Sequence, residues 1–351
     1  MQRRDFIKLA GGAWLLSQVP SGWARETPAD EGWRKFRLTY TVNLLPQGSN
    51  AYLWLPIPQS IKDYQQASAP RSTGAADEAG FVRMANAPAF YAHWNDATAR
   101  NITVTAEVAT RDRTADLQRS HSSPAELDDA MLNYLPPTDS MPLDGIVRST
   151  ALAATKGAIS PLEKARAIYD WVVDNTFREP KVKGCGRGDI KAMLETGNLG
   201  GKCADINSLF VGLCRASGIP AREVYGIRIA ESRQFKSLGR SGDVSRAQHC
   251  RAEFYLADVG WIPVDAADVR KAVLEEKLPL DDPGIVALRE RLFGGWEMNW
   301  VAFNHARNVA LGPRHKASFF MYPCAEIAGE QSDSLNPESF AYRVEASAQV
   351  G

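Results

Sequence analysis

The stretch GGKCADINSLFVGLCRASGIPAR, residues 200–222, decides how the chain is read. Ile206, Leu209, Phe210, Leu213 and Cys214 fall at i, i+3, i+4, i+7 and i+8, the one-sided apolar spacing of a helix. Gly218 ends it and Pro220 prevents its continuation. Cys203 lies three residues before Ile206, in the first turn. Two readings stand for it. Cysteine is among the most buried residue types, and a packing role is the reading for Cys214 in the middle of the stripe. Cys203 instead begins the helix, where unpaired N–H groups and the helix dipole favour a thiolate. Gly200 and Gly201 let the backbone come close to a substrate, and the Cys203 N–H is placed to help form an oxyanion hole.

A nucleophilic thiol needs a base, and the base needs an orienter. The histidines are His93, His121, His249, His305 and His315. His249 opens HCRAEFYLADVGWIPVD, residues 249–265, which reads as a β-hairpin. His249, Arg251, Glu253 and Tyr255 share one face. Cys250, Ala252, Phe254 and Leu256 take the other. A loop over residues 255–259 pairs Phe254 with Gly260 and sets Asp265 opposite His249, close enough for a carboxylate to orient an imidazole. A loop over 257–260 would set Asp265 against Ala252 instead. The catalytic arrangement therefore requires an odd loop or a bulge. The plainer readings are a histidine at a strand edge and an aspartate in a turn.

These residues together resemble the transglutaminase-like superfamily, papain-like thiol enzymes with a Cys, His, Asp triad. The likeness rests on Gly-x-Cys at a helix start, SGIPAR after it, a strand-borne His and GWIPVD ending in the Asp, and it covers roughly residues 145–270. It implies Cys203 as nucleophile, His249 as general base and acid, and Asp265 as orienter. It implies acyl transfer through a thioester on Cys203, with no cofactor and no metal. Water as acceptor gives a peptidase or amidase, the direction favoured because bacterial relatives are more often hydrolase-like. An amine acceptor gives a transglutaminase. A non-catalytic module that binds a peptide or wall component is the third expectation. The chain departs from the usual pattern at Cys250, where members carry a small or aliphatic residue, and at Ala204.

Outward from the site, the fold class is α+β. WRKFRLTYTVNLL alternates, with Phe36, Leu38, Tyr40 and Val42 on one face. NAYLWLPIP is a second strand, stopped by Pro56 and Pro58. NITVTAEVAT turns Ile102, Val104, Ala106 and Val108 inward. Residues 33–112 are therefore expected as an antiparallel β-sandwich domain, 113–144 as a polar connector, 145–275 as the catalytic core and 276–351 as an extension packing on that core. SPLEKARAIYDWVVDNTF carries a helix start, with Ser160 as N-cap, Pro161 at N1 and Glu163 closing a capping box. DIKAMLET is a short helix between the glycine-rich loops KGCGRG and GNLGGK.

Residues 1–24 read as an export signal. Arg3 and Arg4 before DFIK, a weakly apolar run and a small-residue end at Gly22-Trp23-Ala24 resemble a twin-arginine signal, which exports folded proteins. The expected location is periplasmic or secreted, with no further membrane span. Lys and Arg number 41 and Asp and Glu 41, a balance that gives no reason to expect nucleic acid or a membrane surface as partner. The expected partner is a peptide or protein substrate, cell-wall peptide among the candidates, with the oligomeric state left open.

Five cysteines, Cys185, Cys203, Cys214, Cys250 and Cys324, leave at least one thiol unpaired within the chain. GNLGGKC lacks the leading Gly and the trailing Ser or Thr of a phosphate loop. Cys203, Cys214, His249 and Cys250 lack the Cys-x-x-Cys spacing of a zinc site. GRGD at 186–189 reads as a tight loop beside the active site. Cys185 in that loop has three readings: an exposed thiol, a redox partner of Cys203, or a buried residue. Trp296, Trp300 and Phe303 read as core, and His305 and His315 as surface or capping residues.

Overall fold

The computed structural model describes residues 32–44, 50–84, 87–96, 100–120, 127–312 and 315–349. The export signal expected at 1–24 lies outside them. No helix among the described residues is long and apolar enough to cross a membrane.

Alternating apolar residues build two antiparallel sheets. In one, Arg34–Asn43 lies between Ala341–Gln349 and Asn101–Thr110, with Gly242–Asp243 outside the former and Gln65–Ala67 and Arg71–Gly74 along the latter. In the other, Ala51–Pro56 lies between Cys324–Ile327 and Ala87–Trp94, flanked by Glu330–Gln331 and Glu78–Met84. Phe36, Leu38, Tyr40 and Val42 are all buried, as are Ile102, Val104, Ala106 and Val108. All but Ala106 share one core with Leu53, Leu55 and Phe90 of the second sheet. Two sheets meeting on one apolar core form a sandwich. The Tyr40 hydroxyl donates to the Pro56 carbonyl at 2.8 Å across it.

The chain's end differs from the expected extension. The described residues after 276 do not only pack on the core. Ala341–Gln349 runs antiparallel to the whole of Arg34–Asn43, and Cys324–Ile327 pairs with Ala51–Pro56. The alternation that buries Val344 and Ala346 suits the sandwich core, so the C-terminal strands complete the N-terminal sheets. Trp300–Asn304 joins a separate core sheet of order Gly260–Val264, Gln248–Leu256, Ala221–Arg228, Trp300–Asn304.

Helices pack on that core sheet. Ser160 caps Pro161–Asn175: its Oγ accepts from the Glu163 N–H at 3.2 Å, and Glu163 Oε2 accepts from the Ser160 N–H at 2.8 Å. Ala165, Ile168, Tyr169, Val172 and Val173 are buried. Asp189 of the GRGD loop caps Ile190–Thr196 through the Ala192 N–H. The central helix is Cys203–Ala216. It is buried on every side from Cys203 to Cys214, not on one stripe, because the core strands lie against it and helices Gly145–Ala154 and Pro161–Asn175 close over it. A helix buried all round must satisfy its polar side chains internally. Asp205, Asn207 and Ser208 each have partners inside the protein.

Replacing Ser160 with Ala removes the capping box and should cost about 1 kcal/mol in urea unfolding, while Ser160→Gly should cost a few tenths. An unchanged stability in Ser160→Ala would mean that the box does not stabilise this helix.

Candidate active site

The hairpin brings Asp265 to His249 by a route other than direct pairing. The ladder runs Leu256↔Gly260, Phe254↔Ile262 and Ala252↔Val264, closing a three-residue loop, 257–259. The loop is odd, so face parity holds, but the five-residue loop over 255–259 is not formed. In this register Asp265 falls past the last paired residue and leaves the strand. It becomes the N-cap of helix Ala266–Glu275, where its side chain accepts the Asp268 N–H at 3.1 Å. Diagonal neighbours in a sheet stay within reach of long side chains. His249 Nε2 lies 2.7 Å from Asp265 Oδ2.

That carboxylate is fully buried and its oxygens are shared among several donors. Asn207 Nδ2 donates to Asp265 Oδ1 at 3.1 Å and to the Cys250 carbonyl at 2.9 Å, and Asn207 Oδ1 accepts from the Ala267 N–H at 3.3 Å. Arg251 Nε stands 3.5 Å from Asp265 Oδ2. Asn207 lies one turn after Cys203, so nucleophile and brace share a helix face. The sequence signal was there, a polar residue inside a buried helix, but spacing alone does not name its partner. Trp300, core as expected, also holds the site: its indole N–H donates to the His249 carbonyl at 2.9 Å.

A second carboxylate completes the setting. Asp268 Oδ1 lies 3.5 Å from His249 Nε2, and Arg228 grips Asp268 at 2.5 and 3.1 Å. Arg228 holds the Asp268 carboxyl well below the carboxylate range against the opposing effect of burial. His249, Asp265 and Asp268 have ligand-type atoms within 4.8 Å of one another. Arg228 donates to Asp268, Asn207 donates to Asp265, and Arg251 Nε stands 3.5 Å from Asp265.

Cys203 interacts with Cys185, Cys250 and His249 closely enough to shift its pKa. The Cys185 and Cys250 thiols hold the Cys203 pKa well below the ordinary thiol value. Burial opposes them, and His249 adds a further lowering by hydrogen bond and charge. Cys185 is pushed up by its bond to Cys203 and then by burial, and Cys250 by burial and then by Cys203. Burial and Arg228 pull the His249 pKa down, but Asp268 and Asp265 outweigh them and it ends above the ordinary imidazole value. Low thiol and high imidazole favour a thiolate beside an imidazolium. Because Nε2 is taken by Asp265, Nδ1 is the ring atom left for the sulfur.

Cys185 is buried, and its Sγ lies 3.3 Å from the Gln248 carbonyl. Its single S–H thus has two acceptors in reach, and an ionised Cys203 sulfur is the stronger one. Cys214 is a fully buried packing residue whose thiol burial pushes up. The KGCGRG loop is moulded around Asp205. That carboxylate accepts N–H bonds from Arg187, Gly188 and Lys202 at 2.8–3.0 Å. Gly186 has φ +94°, and a Cβ there would stand 1.9 Å from Asp205 Oδ2, so no larger residue fits. The helix start carrying Cys203 and the loop carrying Cys185 are thereby tied together, and the Ala204 N–H donates to the Cys185 carbonyl at 2.8 Å.

His305 and His315 are not simple surface residues. His305 Nε2 lies 3.1 Å from the Tyr134 hydroxyl, and burial with the nearby Arg222 charge lowers its pKa to about 4. His315 pairs with buried Glu326 at 3.0 Å. Neither is placed in the cleft around Cys203.

The chain is similar to several known proteins. The family model described as the transglutaminase-like superfamily matches residues 148–266, from the helix before the capping box to just past Asp265. An uncharacterized protein of Haemophilus influenzae is 39% identical over 332 residues, covering 88% of this chain and 89% of its own. The solved structure of a candidate cysteine protease from Cytophaga hutchinsonii superposes with a TM-score of 0.59 at 18% identity, over 91% of this chain and 92% of that one, and shows a shared fold. The matched residues, 148–266, hold Cys203, His249 and Asp265, and this part of the chain is similar to the transglutaminase-like superfamily.

Proposed function

We propose that the chain is an exported, cysteine-dependent acyl-transfer enzyme that hydrolyses amide bonds in peptides, with Cys203 as nucleophile, His249 as acid and base and Asp265 as orienter. The observation that carries the reading is a buried thiol of lowered pKa in contact with an imidazole of raised pKa, whose far nitrogen is held at 2.7 Å by a buried carboxylate. A packing cysteine needs none of these neighbours. A binding module has no use for the ion pair either. Export rests on the Arg3-Arg4 signal at the start of the chain.

The Cys203 thiolate attacks the amide carbonyl carbon, and the C=O electrons move to oxygen. The Cys203 N–H begins a helix and has no intrahelical acceptor, so it is available to that oxyanion. As the tetrahedral intermediate collapses, the C–N bond breaks and the His249 imidazolium gives its proton to the leaving amine. A thioester remains. Neutral His249 then takes a proton from water, the hydroxyl attacks the thioester, and the thiolate leaves. An amine in place of water would make an isopeptide bond. Asp265 keeps the ring aligned and stabilises its charge through both steps.

Activity should follow a bell in pH. It rises as Cys203 loses its proton, below the ordinary thiol range, and falls as His249 loses its own, above the ordinary imidazole value. A single limb set at the free-thiol pKa would contradict the ion pair.

Asn207→Ala should lower kcat roughly 10- to 100-fold with KM little changed, the worth of a hydrogen bond to a charged group that positions the base. A change in KM alone would assign Asn207 to substrate binding instead.

The acceptor is read by turning over a peptide in water carrying heavy oxygen, with a primary amine added. Heavy oxygen in the new carboxylate is expected. Amine adducts as the main product would identify a transglutaminase.

A further inference from the structure

We propose that the cleft selects acidic peptides, whose carboxylates flank the amide to be broken; this rests on the acyl-transfer reading of Cys203. The thiol and His249 open into a cleft of about 1390 Å³. Arg178, Lys181, Lys183, Lys202, Lys236 and Arg246 all line it. They come from the segment before the Cys185 loop, the residue next to the nucleophile, the turn around Lys236 and the approach to the His249 strand. Among the described residues no carboxylate lies within ion-pair distance of any of the six. Lys181, Lys183, Lys236 and Arg246 are exposed, while Arg178 and Lys202 are half-buried.

The carboxylates that share this lining are already engaged. Glu275 pairs with Lys271 at 3.8 Å. Glu276 accepts the Ser237 N–H at 2.8 Å. Asp243 holds the Ser245 N–H and hydroxyl at 3.0 and 2.6 Å, and Asp333 accepts the Leu335 N–H at 2.9 Å. Of the remaining cations of the lining, Arg228 is locked to Asp268, Arg343 pairs with Glu345 at 2.9 Å, and Arg240 Nε donates to the Asp243 carbonyl at 3.0 Å. The Lys271 pKa is drawn down to about 8 by burial and then by the Arg228 charge, as expected where positive charge gathers.

The chain as a whole balances 41 Lys and Arg against 41 Asp and Glu, so the positive cleft is a local arrangement and not the shadow of a basic protein. A cleft in which one sign of charge is in excess concentrates ligands of the other sign and speeds their arrival, and here the cations outnumber the carboxylates. Arg adds planar, two-pronged recognition of carboxylates. Because the thiol acts on an amide carbonyl, the anion must belong to an acyl donor, and in a peptide that means Asp, Glu or a terminal carboxylate.

The test compares alkylation of Cys203 by anionic iodoacetate and neutral iodoacetamide, read by peptide mass spectrometry on the full protein. Iodoacetate should gain roughly tenfold over iodoacetamide at low salt relative to the same ratio at high salt. The double change Lys183→Glu with Arg246→Glu should remove most of that gain. If iodoacetamide labels Cys203 and iodoacetate gains nothing at low salt, the charge proposal is overturned while the acyl-transfer reading stands. If neither reagent labels Cys203, the acyl-transfer reading fails. Binding to Cys203→Ala of two fluorescent peptides, identical except for Glu against Gln at four positions, then decides the charge question alone. Tighter, salt-sensitive binding of the Glu peptide supports acidic selection, and equal or absent binding of the two overturns it.

Discussion

The hydrogen bond between His249 Nε2 and Asp265 Oδ2 is the interaction on which the rest of the structure depends. Both groups are almost wholly removed from water. A charged pair in that setting is stable only if every remaining lone pair and N–H has a partner. Asn207 and the Asp268 N–H donate to Asp265, the Arg251 guanidinium stands 3.5 Å from it, and Asp268, held by Arg228, lies 3.5 Å from His249. Several elements meet at one carboxylate: the Cys203 helix, the His249 strand, its neighbour strand and the helix that Asp265 begins. The core sheet and central helix are held in register by the need to satisfy Asp265, and the geometry of the thiol follows from that register.

Two loops extend the same logic to the sulfur. Asp205 gathers three backbone N–H groups from the Cys185 loop and the start of the Cys203 helix, which places two thiols against each other without a disulfide. Cys250 adds a third. A thiolate in a buried place is usually disfavoured by desolvation. Here two S–H donors and an imidazolium offset that cost, so the helix dipole is only one contributor among several. Arg178, Lys181, Lys183, Lys202, Lys236 and Arg246, which also line the cleft, lie outside this buried set.

Much of this was legible in the residues. The capping box of Ser160 and Glu163, the alternation from Phe36 to Val42 and the stop at Gly218 are local signals, and local chemistry decided them. Cys203, His249 and Asp265 stood out as a set through the resemblance of their motifs to a known family, and the fold brings His249 to 2.7 Å from Asp265. What was not legible is set by tertiary context. The hairpin closes with three loop residues, not five, and no propensity distinguishes the two. Asn207, Trp300 and Arg228 owe their roles to partners far along the chain. The pairing of Ala341–Gln349 with Arg34–Asn43 joins the two ends of the described chain, and alternation alone does not reveal which edge a strand will choose.

The central claim is that Cys203 rests as a thiolate paired with His249. Limited labelling with iodoacetamide across pH, read peptide by peptide, tests it most directly. The account predicts that Cys203 is modified first of the five cysteines, well below the pH at which a free thiol of pKa about 8.5 reacts, and that His249→Ala moves that reaction to higher pH. An inert Cys203, with Cys185 or Cys250 modified in its place, would contradict it.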